Sequence, residues 1–136
     1  MPAHVTTSSS LLDYTYSTQA NSHIFTFYKP TRQAYDDFLK LMTEIYQHVT
    51  LEDQVRVLVD YRQSGIPPIH YLIPKSLAWA RTLAIHPEAR LAVITRQDNL
   101  SRLLRGMTST VRFGHLSTGI FEGDAGYEKA LVWLQK

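Results

Sequence analysis

Hydrophobic and polar residues alternate in two short stretches near the beginning of the chain. In residues 11–17, Leu12, Tyr14 and Tyr16 alternate with polar residues, and residues 23–29 are rich in aromatic and β-branched side chains. The short polar segment TQANS separates the two stretches. Because a short turn-like connection favours antiparallel pairing of the strands that it joins, the pattern predicts an N-terminal β-hairpin.

A helical period follows the hairpin. Between residues 31 and 49 the apolar side chains recur at about 100° per residue and fall on one side, with charged side chains opposite. Thr31 precedes this pattern, and threonine is a residue type that caps helix N-termini. The segment is therefore predicted to be an amphipathic helix that begins after Thr31 and buries one face.

The stretch VRVLVDYRQSG, residues 55–65, changes from apolar to polar at its centre. Residues 55–59 form a nearly continuous apolar run, which is typical of a central strand covered on both faces. The run ends at Asp60, and Ser64 and Gly65 follow just before two prolines. Since these residue types favour turns, we expect the backbone to reverse here, with Asp60 capping local N–H groups at the strand end.

The rest of the chain continues the alternation of helix and strand. The predicted elements are helices over 74–85, 99–113 and 125–136, and strands over 90–96 and 116–123. Pro74 suits the first turn of its helix, and Asp98 or Asn99 and then Asp124 are the predicted N-caps of the two later helices. The order predicts one α/β domain over residues 1–136, with about four helices and a mixed sheet of about five strands, and residues 1–10 as a flexible lead.

Composition limits the classes of protein to which the chain can belong. Its hydrophobic share of 44% and charged share of 19% are those of an ordinary globular protein. The absence of cysteine excludes disulfides and thiolate metal sites, and a net charge of +2 is too small to indicate nucleic-acid binding. No apolar run is long enough to span a membrane, and no secretory signal is recognisable. We therefore expect a cytoplasmic protein without integral membrane association.

The sequence contains no motif for catalysis or for cofactor binding. The six histidines lack the spacing of a metal site, and the glycine patterns of dinucleotide, P-loop and nucleophile-elbow motifs are absent. No catalytic residue, no metal and no cofactor is therefore predicted. Arg102, Arg105 and Arg112 share one face of the predicted third helix. We interpret that face as solvated rather than as an anion or nucleic-acid patch, because no aromatic or recognition-helix motif accompanies it.

Four phrases of the chain together resemble a known family. They are the hairpin leading into a helix started by threonine, the strand VLVD, the segment AIHPEARLAVITR, and the ending FEGDAGYEKALVWL. This combination resembles the SpoIIAA-like proteins, a branch related to the STAS domains of anti-sigma-factor antagonists. The resemblance implies a SpoIIAA-like (STAS-like) α/β sandwich over about residues 12–134.

The resemblance also raises the possibility of a phosphorylated serine. STAS antagonists accept a phosphate on a serine in a motif that resembles Asp-Ser-Ser-Gly or Asp-Ser-Thr-Gly, at the start of a helix. Ser64 and Gly65 match that pattern, but Gln63 replaces the acid and only three residues separate Asp60 from Ser64. The two prolines that follow also forbid a helix starting directly at Gly65. We therefore expect Ser64 to form a turn and not to be a phosphorylation site.

Two functions remain open. The preferred prediction is a non-catalytic regulatory or protein-interaction module, a homodimer whose protein partner is unknown. The alternative is a pocket for a small apolar or anionic ligand at the carboxyl ends of the strands, where ligands of open α/β sheets bind. The candidate contacts for such a ligand are Asp60, Arg62, Ser64, His70 and Arg96. The aromatic residues of the hairpin are expected to pack in the core, or else to line a cavity or form a dimer face.

Overall fold

The strands lie side by side in the order in which they occur in the chain. The computed structural model describes residues 7–96 and 115–136, and within them one sheet contains β1 (Thr7–Ser8), β2 (Leu12–Ser17), β3 (Ser22–Phe27), β4 (Gln54–Asp60), β5 (Glu88–Thr95) and β6 (Leu116–Glu122). The first three strands pair antiparallel, and β3 to β6 pair parallel. The predicted hairpin and the mixed sheet are therefore confirmed. β1 lies inside the segment that was expected to be a flexible lead.

Helices cover both faces of the sheet. The described helices are α1 (Arg32–Tyr46), α2 (Ile69–Arg81) and α3 (Gly123–Leu134). α1 and α2 pack on one face, and α3 packs on the other. The α/β class is therefore confirmed. The helix predicted over 99–113, its N-cap and its arginines lie outside the described residues. Of the described helices, none has both the length and the apolar character that a membrane span requires.

The strand β4 contributes to the core on both of its faces. Val57 belongs to the larger core beneath α1 and α2, while Leu58 belongs to the smaller core beneath α3. β3 pairs with one edge of β4 and β5 pairs with the other. The prediction that residues 55–59 form an interior strand is confirmed, and the same pairing fixes where Asp60 emerges.

The hairpin presents its aromatic side chains to the larger core. The Phe25 ring centroid lies 4.8 Å from that of Tyr14 and 4.8 Å from that of Phe38 on α1. Thr31 caps α1, because its side-chain oxygen accepts a hydrogen bond from the backbone N–H of Ala34 at 3.2 Å. The predicted cap and the predicted core role of the hairpin aromatics are both confirmed.

The second helix begins earlier and ends earlier than predicted. α2 spans Ile69–Arg81, so Pro74 lies inside the helix and not in its first turn, and that prediction was wrong. Leu72 is buried in the larger core, and its neighbours Tyr71 and Ile73 pack against it. Burial of this first turn offsets the helical hydrogen bond that Pro74 is unable to donate.

Replacement of Pro74 by alanine should therefore stabilise the fold. Pro74 is exposed, so its removal loses little packing and restores a backbone N–H to the helix interior. We expect the free energy of unfolding to rise by about 1–2 kcal/mol, a gain reduced by the greater freedom of the unfolded chain. Urea denaturation measures this change, with Lys75→Ala as the neighbouring exposed control. An unchanged or lower free energy of unfolding would contradict a helix that runs through Pro74.

Candidate functional site

Most of the predicted site residues lie at one edge of the sheet. β4, β5 and β6 run parallel, so Asp60, Thr95 and Glu122 end their strands at the same edge. The turn after β4 places Arg62 and Ser64 there, and Arg96 follows β5 directly. This edge is the carboxyl end of the parallel strands, as the sequence predicted.

Asp60 and Arg62 form a bidentate ion pair within the turn. The Arg62 Nη2 and Nε atoms lie 2.7 and 3.0 Å from Asp60 Oδ2 and Oδ1. The backbone N–H of Arg62 also donates to Asp60 Oδ1 at 2.9 Å, which is the local capping that was predicted for Asp60. The exposed fraction is 7% for the Asp60 side chain and 26% for the Arg62 side chain. The hydrogen bond to Asp60 raises the pKa of Arg62, so the guanidinium stays charged.

The same guanidinium reaches the first turn of α3. Arg62 Nη1 lies 2.9 Å from Asp124 Oδ1, and the guanidinium carbon lies 5.1 Å from the centroid of the Tyr127 ring. Burial raises the pKa of Tyr127, and the Asp60 charge adds to this effect. We call Asp60, Arg62, Asp124 and Tyr127 the Arg62 clamp. The clamp joins the end of β4 to the start of α3. Its buried part is the pair between Asp60 and Arg62, because the Asp124 side chain is 98% exposed.

Asp124 and Tyr127 were absent from the predicted site. Asp124 was expected to be an N-cap, but Glu122 occupies that position without a side-chain hydrogen bond, so this prediction was wrong. Gly123 has a φ of +71°, which allows the chain to turn from β6 directly into α3 and places Asp124 in the first turn. The signal that could have found Asp124 is its position two residues beyond β6, a strand that ends at the same end of the sheet as β4.

Two further arginines hold the opposite end of α3. Arg56 Nε on β4 donates to the backbone carbonyl of Leu134 at 2.8 Å, and Arg90 Nη1 on β5 donates to that of Trp133 at 2.8 Å. Cations at a helix C-terminus satisfy its last carbonyls and interact favourably with the helix dipole. The C-terminal end of α3 is therefore fixed to the sheet by arginine side chains.

Ser64 and Gly65 complete a tight turn. The Gly65 N–H donates to the Tyr61 carbonyl at 2.8 Å, and the buried Ser64 hydroxyl donates to the Gly65 carbonyl at 2.7 Å. Arg96 lies over this turn, with Nη2 3.4 Å from the Gln63 carbonyl oxygen. The predicted turn is therefore present. The expectation that Ser64 carries no phosphate stays a prediction.

Gly65 is required by its backbone conformation as well as by the contact with Arg96. Its φ is +81°, and a Cβ atom at this position would lie 2.7 Å from Arg96 Nη2. We expect Gly65→Ala to lower the free energy of unfolding by about 1–2 kcal/mol, because L-residues disfavour this region. Urea denaturation of Gly65→Ala and of Gly65→Ala with Arg96→Ala separates the two causes. Since the Arg96 side chain is exposed and flexible, the double variant should recover little; full recovery would contradict backbone strain as the main cause.

His70 lies apart from the other four candidates. It lies in the first turn of α2 with an exposed side chain, and within the described residues no hydrogen bond or ion pair joins it to Asp60, Arg62, Ser64 or Arg96. Across residues 7–96 and 115–136 no group of three or more histidine, aspartate or glutamate side chains is arranged to hold a metal ion. The site that the structure assembles is thus a group of four predicted residues joined by Asp124 and Tyr127.

An apolar cavity lies at the opposite end of the sheet, where the parallel strands begin. It has a volume of about 110 Å³ and lies between α1, α2 and the amino ends of β5 and β6. Three of its polar side chains have partners: Tyr35 Oη and Ser76 Oγ share a hydrogen bond, and Trp79 Nε1 donates to Thr43 Oγ1 at 2.8 Å. Burial raises the pKa of Tyr35 to about 12, so its hydroxyl stays protonated. The residues that line the cavity include Tyr35, Met42, Trp79, Leu83, Leu91 and Leu116.

Known proteins give no independent guide to this site. Comparisons of the chain with models of protein families, with curated proteins and with solved structures found no match. The functional argument therefore depends on the geometry of the chain itself.

Proposed function

We propose that the chain is a non-catalytic protein-interaction or regulatory module of SpoIIAA/STAS-like type, which acts in the cytoplasm as a homodimer. The observation that carries the proposal is the Arg62 clamp. Arg62 is bonded to Asp60 and to Asp124, and the Ser64 hydroxyl is bonded to the Gly65 carbonyl. Three of the residues that were predicted to contact a ligand, Asp60, Arg62 and Ser64, therefore hold the turn after β4 in place.

Support for the SpoIIAA-like family comes from the elements that the resembling phrases form. The hairpin leads into a helix capped by Thr31, and the phrase VLVD forms the last four residues of the interior strand β4. The ending FEGDAGYEKALVWL forms the end of β6 and the helix α3. These elements are those that the resemblance implies, in the same order.

Binding of a small apolar ligand is the second candidate function. The apolar cavity beneath α1 and α2 favours it, although that cavity is at the amino ends of the strands and not at the carboxyl ends. Its volume of about 110 Å³ is below the roughly 300 Å³ at which typical ligand pockets begin. It is close to the size of an apolar cavity that holds a benzene-sized molecule. The small volume makes this the weaker candidate.

Native mass spectrometry of the purified chain distinguishes the two functions. The proposed function predicts a mass twice that of the 15.6 kDa chain, with no small molecule retained. A monomer that retains a small molecule in a 1:1 ratio would contradict it and favour the ligand-binding function. Stoichiometric phosphate on Ser64 in the chain from its native source would overturn the expectation that Ser64 is only a turn residue.

A further inference from the structure

The strand β6 is the last strand at one side of the sheet, so it is an edge strand. Among the described strands it pairs only with β5. None of its seven residues is buried, whereas most residues of β5 are. Natural proteins protect exposed edges with proline, lysine, bulges or very short strands. β6 contains neither proline nor lysine, and its single charged residue is Glu122 at its end.

Apolar side chains flank this edge on both faces of the sheet. Ile120 packs against the core on the α1 and α2 side, and Phe121 and Trp133 pack on the α3 side, all three half-buried. The ring centroids of Phe121 and Trp133 lie 5.9 Å apart, and the Arg90 guanidinium lies 5.5 Å from the Trp133 ring. A partner strand would therefore meet apolar surface above and below its backbone.

Gly119 at the centre of β6 allows this arrangement of the aromatic rings. A Cβ atom there would lie 3.0 Å from the Phe121 ring and 3.3 Å from the Trp133 ring. The glycine thus lets both rings lie close over the strand. It also leaves the middle of the edge without a side chain to obstruct another backbone.

We propose that β6 pairs antiparallel with β6 of a second copy of this chain, about a two-fold axis at Gly119. This interface deepens the proposed function, on which it rests, by naming the surface through which the module associates. With Gly119 opposite itself, Thr118 lies opposite Ile120 of the second copy and Ser117 opposite Phe121. Pairs of β-branched residues and apolar contacts of this kind stabilise antiparallel strands.

Charge also favours a second copy as the occupant. In the antiparallel arrangement the two Glu122 side chains lie at opposite ends of the paired strands, so no like charges are placed opposite each other. The strand at the other side of the sheet is less suitable. It is β1, which has only two residues and pairs with Asp13 and Tyr14 of β2. With seven residues against two, β6 is the longer of the two edge strands.

Sedimentation velocity over a range of protein concentrations tests this interface. Ser117→Lys and Ile120→Lys each place a lysine on β6 near the axis; Ser117 is exposed, so its variant should fold normally. We expect each to raise the dimer dissociation constant by about tenfold or more, because charge at a paired edge opposes association. Leu51→Lys is the matched control, since Leu51 is 64% exposed and lies outside the strands. It should leave the dissociation constant unchanged.

Two results would overturn the interface. One is that the Ser117→Lys variant folds and dimerises as tightly as the wild type. The chain would then still be an interaction module, but it would dimerise through another surface. The other is that the wild-type chain remains monomeric at every concentration. This result would overturn the interface even if β6 pairs with a strand of a different protein. Retention of a small molecule would contradict the proposed function itself, and this readout is separate from the mass of the assembly.

Discussion

Replacing Arg62 with methionine is expected to lower the free energy of unfolding by about 2–4 kcal/mol. The substitution keeps a long apolar side chain but leaves the Asp60 carboxylate without its bidentate partner, and that carboxylate is 7% exposed. Loss of one partner of a buried ion pair costs about 3–5 kcal/mol. Because Arg62 itself is 26% exposed, water partly screens the pair and we place the effect below the upper end of that range.

Urea denaturation near neutral pH measures this effect, with Lys129→Met as the control. Lys129 is an exposed residue of α3, so its replacement should change the free energy of unfolding by less than about 0.5 kcal/mol. Asp60→Asn combined with Arg62→Met should be less destabilised than the sum of the two single variants, because the buried charge is then also removed. An Arg62→Met variant as stable as the wild type would mean that the Asp60 carboxylate does not depend on Arg62, and the proposed function would lose its main support.

The stability of the fold is expected to fall by about 3 kcal/mol between pH 6.5 and pH 4 because of His23. His23 is 8% exposed, and its Nδ1 atom lies 2.7 Å from the Tyr14 hydroxyl. Burial lowers the pKa of His23 from 6.5 to about 4. Between these pH values the unfolded chain binds a proton that the folded chain does not, so protonation favours unfolding as the pH falls. The interval between the two pKa values corresponds to about 3 kcal/mol.

Urea denaturation at several pH values measures the slope of stability against pH. His23→Gln keeps a polar side chain opposite Tyr14 but removes the titrating group. The free energy of unfolding should therefore fall by about 3 kcal/mol less between pH 6.5 and pH 4 than it does in the wild type. His48→Gln is the matched control, because His48 is exposed at the end of α1, and its slope should equal that of the wild type. Equal slopes for His23→Gln and the wild type would show that His23 is not buried in its neutral form.

The elements that the sequence predicted well are those with a strong local signal. The apolar run of residues 55–59 requires burial on both faces, and the structure places that run between β3 and β5. Thr31 precedes a clear helical period, and it caps α1. α2 was misplaced because Pro74 was interpreted by its local preference for a first turn. Burial of Leu72 and its neighbours, which is a tertiary effect, moves the start of that helix to Ile69.

The candidate site was predicted as far as strand direction determines it. Asp60 and Arg96 lie at the same end of the sheet because β4 and β5 are parallel, and Arg62 and Ser64 follow Asp60 in one turn. The sequence places His70 in the loop after Asp60, but in the structure it lies in the first turn of α2 with an exposed side chain. The contact between Arg62 and Asp124 joins residues that are 62 positions apart. No local pattern predicts that contact without knowledge of where α3 crosses the sheet.

Amide hydrogen exchange of β4 tests most directly whether this strand, which ends at Asp60 of the Arg62 clamp, lies in the interior of the sheet. With β3 on one edge, β5 on the other and helices over both faces, the amides of residues 55–59 should exchange only through global unfolding. Their exchange free energy should then equal the free energy of unfolding measured with urea. Exchange of residues 55–59 at the rate of the exposed residues 50–53 would contradict an interior β4, and the account of the clamp would fail with it.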